Sequence, residues 1–459
     1  MTIRGLDLGA PRRIHVVGVG GAGMSAIASV LAAMGHSVTG SDLKSSPATE
    51  RLRASGVAVA IGHAPEHVGE AELVTVSSAV PEGNPEVLEA RRRGLPVLHR
   101  AETLAAIAAC RRCIAVAGTH GKTTTTSMLA LVLVEAGMRP SFLVGGDINE
   151  TGTNALWDDG EWLVLEADES DGTFLALDPE IAVITNIEAD HLDHYGDLDA
   201  LEAAFDRFAS GRPGGVVVGA DEPRAAALGR RHGATSVGTA PDADYRIRAM
   251  ALERHGARFE LEHAGATAAT VTMPVPGAHN VRNAAVALVA ACAAGAAFDD
   301  GVRALARYAG VARRFEARGE LGGVHFVDDY AHLPTEVAAA LAAARAGGWD
   351  RVVAVFQPHR YSRTAALGAA FADAFVDADM VVLTDVYPAG ERPVPGVSGR
   401  LVADAVVAAH PDADVTYVAG RAELRAHLRE VLRPGDLCLT LGAGDITALA
   451  DELAAEGGW

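Results

Sequence analysis

A lysine framed by glycines, in Gly118-Thr119-His120-Gly121-Lys122-Thr123-Thr124, is the segment of this 459-residue chain best suited to do chemistry. The chain has two lysines, Lys44 and Lys122, and arginine fills the other basic positions. A lysine in this loop therefore points to a need for a compact charge rather than a planar fork. Glycines turn backbone N–H groups inward onto a phosphate, the lysine reaches the β- and γ-phosphates, and the hydroxyl of Thr123 can hold Mg²⁺. Gly118 stands only three residues before Gly121, a tighter spacing than the common eight-residue phosphate loop. A generic strand-to-helix turn is the plain alternative.

Other polar clusters close apolar runs. Glu166-Ala167-Asp168-Glu169-Ser170-Asp171 ends one, and a carboxylate there is seldom buried unless it is paired or binds metal. Glu166 is thus a candidate ligand. Thr185-Asn186-Ile187-Glu188-Ala189-Asp190-His191 ends another and offers His191, although Mg²⁺ prefers oxygen and a lone histidine is more commonly structural. Asn280 and Asn283 lie one helical turn apart in Pro276-Gly277-Ala278-His279-Asn280-Val281-Arg282-Asn283. They suit adenine's donor–acceptor edge, with N-capping by Asn280 the alternative. Asp328-Asp329-Tyr330-Ala331-His332-Leu333-Pro334 and Gln357-Pro358-His359-Arg360-Tyr361-Ser362-Arg363 each follow a strand and form a second ligand surface. Arg360 and Arg363, three residues apart, are expected to share a helix face that grips a carboxylate or phosphate.

Near the N-terminus Gly18-Val19-Gly20-Gly21-Ala22-Gly23 fits a G-x-G-x-x-G turn. Asp42 ends the next strand, where a ribose-binding acid sits in dinucleotide folds, and Ser77-Ser78 closes a further strand. Alone, that fingerprint reads as an NAD-dependent oxidoreductase, but nothing downstream supplies hydride-transfer chemistry.

The elements that must position these groups repeat one layout. Strands are expected at 13–18, 73–78, 113–117, 162–167 and 181–187. Others are expected at 324–327, 351–356, 380–385, 415–418 and 437–441. Helices fill the gaps: one runs over 122–135 with Met128, Leu129, Val132 and Leu133 on one face, and another begins near Pro334. Alternating strands and helices predict α/β architecture in three units, with open doubly wound sheets.

A formal charge of −20 without a basic stripe argues against a nucleic-acid partner. No apolar run reaches membrane-spanning length, and no signal-peptide core is present at the N-terminus. Four cysteines in 459 residues is a cytosolic count. Cys110 and Cys113 form a C-x-x-C with no second pair, so a structural role is expected.

Together these strings resemble the Mur ligase family of peptidoglycan synthesis over nearly the whole chain. The most specific is Phe356-Gln357-Pro358-His359-Arg360-Tyr361-Ser362-Arg363-Thr364, which the family's muropeptide-recycling branch does not share. The resemblance implies a three-domain enzyme. Residues 1–108 form a Rossmann-like domain for the UDP part of UDP-N-acetylmuramate, 109–312 a P-loop-type central ATPase, and 313–459 a Rossmann-like C-terminal domain that closes over both and admits L-alanine. The muramoyl carboxylate attacks the γ-phosphate of ATP, and the alanine amine then displaces phosphate from the acyl phosphate.

By the same resemblance Gly20, Gly21, Gly23, Asp42, Ser77 and Ser78 serve the nucleotide diphosphate rather than NAD. Gly118, Thr119, His120, Gly121, Lys122, Thr123 and Thr124 hold ATP. Thr123 and Glu166 bind one Mg²⁺, and His191 helps bind a second. Asn280 contacts adenine, Arg314 and Asp329 reach ATP, and His359, Arg360 and Arg363 lie on the substrate side. The implied cofactors are ATP and two Mg²⁺ ions, in a cytoplasmic monomer or weak homodimer with no membrane partner.

Two departures stand out. No lysine follows Lys122, so a carbamylated lysine near the second metal is impossible, which fits the alanine-adding branch. Leu333 stands where that branch often has a second histidine, with an expected effect on substrate affinity. A catalytically inactive nucleotide-binding protein is the rival of a different class.

Overall fold

The computed structural model describes residues 8–77 and 79–457; Ser78 lies outside them. Five strands open the chain: β1 Arg13–Val17, β2 Ser37–Asp42, β3 Ala58–Ile61, β4 Leu73–Val76 and β5 Val97–His99. They pair in parallel in the order β3-β2-β1-β4-β5. Ile14, Val16 and Val17 are fully buried, as a parallel sheet covered on both faces requires. The glycine turn connects β1 to the helix Ala22–Ala33.

The middle of the chain supplies β6 Arg112–Ala117, β7 Ser141–Ile148, β8 Thr153–Leu156, β9 Trp162–Glu166 and β10 Ile181–Ile184. It continues with β11 Val216–Gly219, β12 Thr235–Gly238, β13 Tyr245–Glu253, β14 Gly256–His263 and β15 Ala266–Met273. The sheet order is β15-β14-β13-β12-β11-β10-β6-β9-β7-β8. β6 sits in its parallel heart between β9 and β10, so the loop after β6 faces the loops after both neighbours. This is the carboxyl edge where ligands of open α/β sheets bind.

The C-terminal sheet takes β16 Glu316–Leu321, β17 Val324–Asp329, β18 Arg351–Phe356, β19 Met380–Leu383, β20 Val415–Tyr417 and β21 Asp436–Leu441, in the order β16-β17-β21-β18-β19-β20. Only β16 is antiparallel to its neighbour. Three α/β sheets thus match the expected class. The strands at β9, β10 and β18 start where the apolar runs start, and the helix Lys122–Glu135 has the expected bounds. The strands of residues 245–273 escape an apolar-run criterion because β15 buries mainly alternate side chains. The hairpin of β7 and β8 and the edge strand β16 were likewise not foreseen.

The chain forms two compact units. One runs to Arg248 and includes Glu260–Val271 and Arg282–Ala306; the other takes Ala249–Phe259, Thr272–Val281 and the chain from Arg307 onward. Within the first unit the N-terminal and middle sheets share one core, with Met24, Leu104 and Ile107 buried in the same cluster as Leu165, Phe174 and Leu177. Among the described residues no helix is long and apolar enough to cross a membrane.

One carboxylate organises the N-terminal sheet. Glu86 is fully buried. It accepts hydrogen bonds from the Ser41 hydroxyl at 2.5 Å and the Ala64 N–H at 3.3 Å, and it meets His63 Nδ1 at 3.1 Å and His67 Nδ1 at 2.9 Å. Burial works to raise its pKa, but His15, Ser41 and His67 outweigh burial and hold it at about 2. A carboxylate depressed in the folded state stabilises fully above its unfolded value of 4.5 and loses that contribution as pH falls through about 2. Glu86→Ala should cost roughly 3 kcal/mol at neutral pH, because it strands buried partners. It should also flatten the acid limb of the stability curve, as read by urea titrations followed by circular dichroism.

Candidate active site

The loop after β6 turns on two glycines in left-handed conformations. Gly118 has φ +137° and Gly121 φ +76°. A Cβ on Gly118 would run into the Thr185 hydroxyl, and one on Gly121 into the Asn283 amide oxygen. Neighbouring strand ends clamp the loop. The Thr185 hydroxyl donates to His120 O at 2.6 Å. Asn186 accepts from the His120 N–H at 2.8 Å and donates to His120 O at 3.0 Å. Glu188 N–H donates to the Thr119 hydroxyl at 2.8 Å, and the Glu188 carboxylate meets His120 Nε2 at 3.2 Å. Gly121 begins the helix Lys122–Glu135 without a side-chain cap, leaving its first N–H groups for an anion.

Lys122 uses all three of its donors. Its ammonium donates to Gly118 O at 2.6 Å, Thr119 O at 3.2 Å and Glu169 Oε1 at 2.8 Å. Burial works to lower its pKa, and Glu169, Asp168 and Glu166 more than offset this, so the cation persists. Glu169 is 1% exposed, and burial pushes its carboxyl up to about 7 against the pull of Lys122. Its Oε2 is buried without a hydrogen-bond partner. The Tyr195 hydroxyl locks the backbone at Glu169 O at 2.5 Å. Sequence reasoning quoted Glu169 within its acidic string but gave it no role. The available signal was a second carboxylate three residues past Glu166, and nothing local said which of them would meet Lys122.

Glu166 ends β9 beside the start of that helix. It accepts from the Thr123 hydroxyl at 2.9 Å and the Gly145 N–H at 2.6 Å. Mg²⁺ is typically bound by one or two protein oxygens, with phosphates and waters completing its shell. The hydroxyl and carboxylate side by side fit that demand. His191 has φ +55° and stands 3.0 Å from Asp190 Oδ2 and 3.7 Å from Glu169 Oε1. The fold therefore joins Thr123 to Glu166, and His191 to the Lys122–Glu169 pair. Among the described residues no group of three or more histidine, cysteine or acidic side chains converges tightly enough to hold a metal unaided.

At the first sheet Asp42 turns onto the glycine loop, accepting from the Gly20 N–H at 2.8 Å. Gly21 precedes the helix Ala22–Ala33 and Gly23 lies in its first turn. Ser77 backs the turn at Gly18, where an added Cβ would come within 3.2 Å of Ser77 Cβ.

In the other compact unit Asn280 lies inside the helix Ala278–Ala293, and its amide donates to Pro276 O at 2.7 Å, so it is not an N-cap. Asp329 accepts from Phe315 N–H at 2.8 Å and Ala331 N–H at 2.7 Å. Burial raises its carboxyl to about 6 against the nearby Arg314, which lies 5.0 Å from the Tyr330 ring. Arg360 has φ +67° and precedes the helix Tyr361–Leu367, so it does not share a helix face with Arg363 as the spacing suggested. Arg363 instead approaches His359 Nδ1 at 3.5 Å, and His359 stacks on Tyr387 at 5.7 Å. Leu333 immediately precedes the helix Pro334–Ala346 and is buried. Cys113 is also buried, which pushes its thiol up to about 12 and fits a structural role.

Three family models cover the chain in order: the Mur ligase family catalytic domain at residues 13–112, the Mur ligase middle domain at 116–291, and the Mur ligase glutamate ligase domain at 313–444. The chain belongs to the Mur ligase family. Among curated members, the UDP-N-acetylmuramate–L-alanine ligase of Pelotomaculum thermopropionicum is 46% identical over 96% of this chain and 97% of its own. The ligase of that name from Rubrobacter xylanophilus is 48% identical over 96% of this chain and 99% of its own. The crystal structure of the UDP-N-acetylmuramate-alanine ligase of Thermotoga maritima superposes with a TM-score of 0.82 at 29% identity, covering 97% of this chain and 99% of that one. A murein peptide ligase from Psychrobacter arcticus gives 0.69 at 25% identity, covering 97% and 98%. Membership of the Mur ligase family removes the oxidoreductase reading of the first glycine turn.

The lysine's geometry makes a direct prediction. Lys122→Ala should lower kcat/KM for ATP by about 10²–10³-fold, the usual loss for one preorganised donor. Lys122→Arg should be nearly as damaging, because a planar fork cannot satisfy two loop carbonyls and a buried carboxylate at one point. Phosphate-release kinetics on both variants check this.

Proposed function

We propose that this chain is an ATP-dependent ligase that joins L-alanine to the carboxylate of UDP-N-acetylmuramate through an acyl phosphate, releasing ADP and phosphate for peptidoglycan precursor synthesis. The observation that carries the reading is the Lys122 ammonium, held between two loop carbonyls and Glu169 at the head of an uncapped helix. Curated alanine-adding ligases similar over 96% of this chain support the choice of substrates.

In this reading the three parts are residues 1–108 for the sugar nucleotide, 109–312 for ATP and 313–459 for the amino acid. When the triphosphate arrives, Lys122 exchanges its loop carbonyls for β- and γ-phosphate oxygens, while the helix N-terminus takes the remaining negative charge. The problem to be solved is repulsion. Two like unit charges ~4 Å apart cost about 4 kcal/mol in a surface-like dielectric, and a carboxylate facing a triphosphate makes several such pairs. Thr123 and Glu166 would hold one Mg²⁺, and His191 would contribute to a second. Bound there, the ions would supply charge neutralisation that a single lysine cannot. Asn280, Arg314 and Asp329 are assigned to ATP, and His359, Arg360 and Arg363 to the substrate side. The acidic net charge supports a partner list without nucleic acid; we place the chain in the cytoplasm, as a monomer or weak homodimer.

Purified protein should release phosphate only when UDP-N-acetylmuramate and L-alanine are both present with MgATP. Equal release without the muramoyl nucleotide overturns the reading, and an amino-acid panel at fixed nucleotide establishes the specificity for alanine. Glu166→Gln should raise the Mg²⁺ concentration needed for half-maximal rate, read in the same assay.

A further inference from the structure

At one edge of the C-terminal sheet two neighbouring arginines meet two neighbouring aspartates, and the fold uses them differently. Asp328 and Asp329 end β17. Asp328 is fully buried and accepts from Arg313 Nε at 3.3 Å, the Thr440 hydroxyl at 2.7 Å and the Thr447 hydroxyl at 2.7 Å. Arg313 also donates through Nη2 to Gly442 O at 2.7 Å and Gly444 O at 3.1 Å. Its backbone is held too. The Arg313 N–H donates to Glu316 Oε2 at 2.8 Å, and its carbonyl accepts from the Tyr330 N–H at 2.8 Å. Arg314 differs, because its guanidinium makes no hydrogen bond among the described residues. The neighbouring Asp329 has spent its two oxygens on the Phe315 and Ala331 N–H groups. Both guanidiniums stand over the Tyr330 ring, Arg313 at 4.9 Å and Arg314 at 5.0 Å.

The segment that carries them is strained. Arg313 has φ +63° and Phe315 φ +48°, a left-handed conformation at two residues that are not glycine. Such strain persists only where the surroundings over-determine it, and it gathers where a group must be held ready. Here the Arg313 fork does the holding. One planar guanidinium joins the end of β17 to the turn after β21, reaching a carboxylate and two carbonyls that a single ammonium could not span. That turn is tied in its own right to the end of β18, since Gln357 Nε2 donates to Asp445 Oδ1 at 2.8 Å. Three adjacent strand ends are thereby linked.

Building on the proposed function, we propose that Arg313 is a positioning residue: with Asp328 it fixes the strained segment 313–315, so that Arg314 keeps its donors free for the triphosphate. Arg313 itself stays on Asp328 and the glycine turn and does not touch the nucleotide.

The test is a double-mutant cycle on kcat/KM for MgATP, read by phosphate release from the intact protein with UDP-N-acetylmuramate and L-alanine saturating. Arg314→Ala should lower kcat/KM about 10²-fold, the usual loss for one preorganised donor group. Arg313→Lys, which keeps the charge and loses the fork, should lower it about tenfold or more, as a small misplacement of a binding group does, with the KM for UDP-N-acetylmuramate unchanged. Asp328→Asn should match it. The double variant Arg313→Lys/Arg314→Ala should be no slower than Arg314→Ala, because nothing then remains to be positioned, whereas independent residues multiply their losses. Thermal melts select the folded variants; if Arg313→Lys does not fold, the cycle is run with Asp328→Asn. A merely structural role would lower the melting temperature and leave the rate per folded chain intact. Losses that multiply overturn the inference, and so does full activity in folded Arg313→Lys. Wild-type protein that releases no phosphate with both substrates present overturns the proposed function itself, and this inference with it.

Discussion

Lys122 is a cation inside a protein, and its surroundings keep it charged and in place. Two carbonyls of its own loop and one buried carboxylate take its three hydrogens at 2.6, 3.2 and 2.8 Å. Removing an ammonium from water is costly unless its donors are matched. Here the loop and Glu169 supply that match themselves. The left-handed glycines follow from the same constraint, because a loop tight enough to aim two carbonyls at one point leaves no room for Cβ atoms at 118 and 121.

The arrangement separates two carboxylates by role. Glu166 is tied to a hydroxyl and a backbone N–H at the end of β9, whereas Glu169 is buried, carries an unfilled oxygen and takes the lysine. Environment, rather than residue type, divides them. The buried acid pairs with the fixed charge, and the one at the strand end pairs with neutral donors. His191, in a left-handed conformation beside Asp190, stands 3.7 Å from Glu169 Oε1.

The first sheet uses related logic. Asp42 accepts from the Gly20 N–H, and the next residue inward, Ser41, is held by buried Glu86. The glycine turn is therefore set by a chain of hydrogen bonds that reaches from its rim into the domain core. A G-x-G-x-x-G string alone suggests a dinucleotide cofactor. Here its acid is turned onto the loop itself, in a fold whose family is that of peptide-forming ligases.

Read alone, the amino-acid string sufficed for what depends on neighbours along the chain. It located the glycine turn before Lys122, the start and end of the helix Lys122–Glu135, the strand ends that carry polar clusters, and the α/β class. Apolar runs and glycine positions encode those locally. It could not say that Lys122 would choose Glu169, or that Arg363 would turn to His359 while Arg360 left the helix. Those pairings join segments tens of residues apart, and they arise only when parallel strands lay their carboxyl ends side by side. Strands such as β13 to β15 were also invisible, because a half-buried ribbon alternates its side chains and presents no apolar run. Chemistry was legible because residue types announce it; partnership was decided by packing, because distance in space is set by the sheet and not by the sequence.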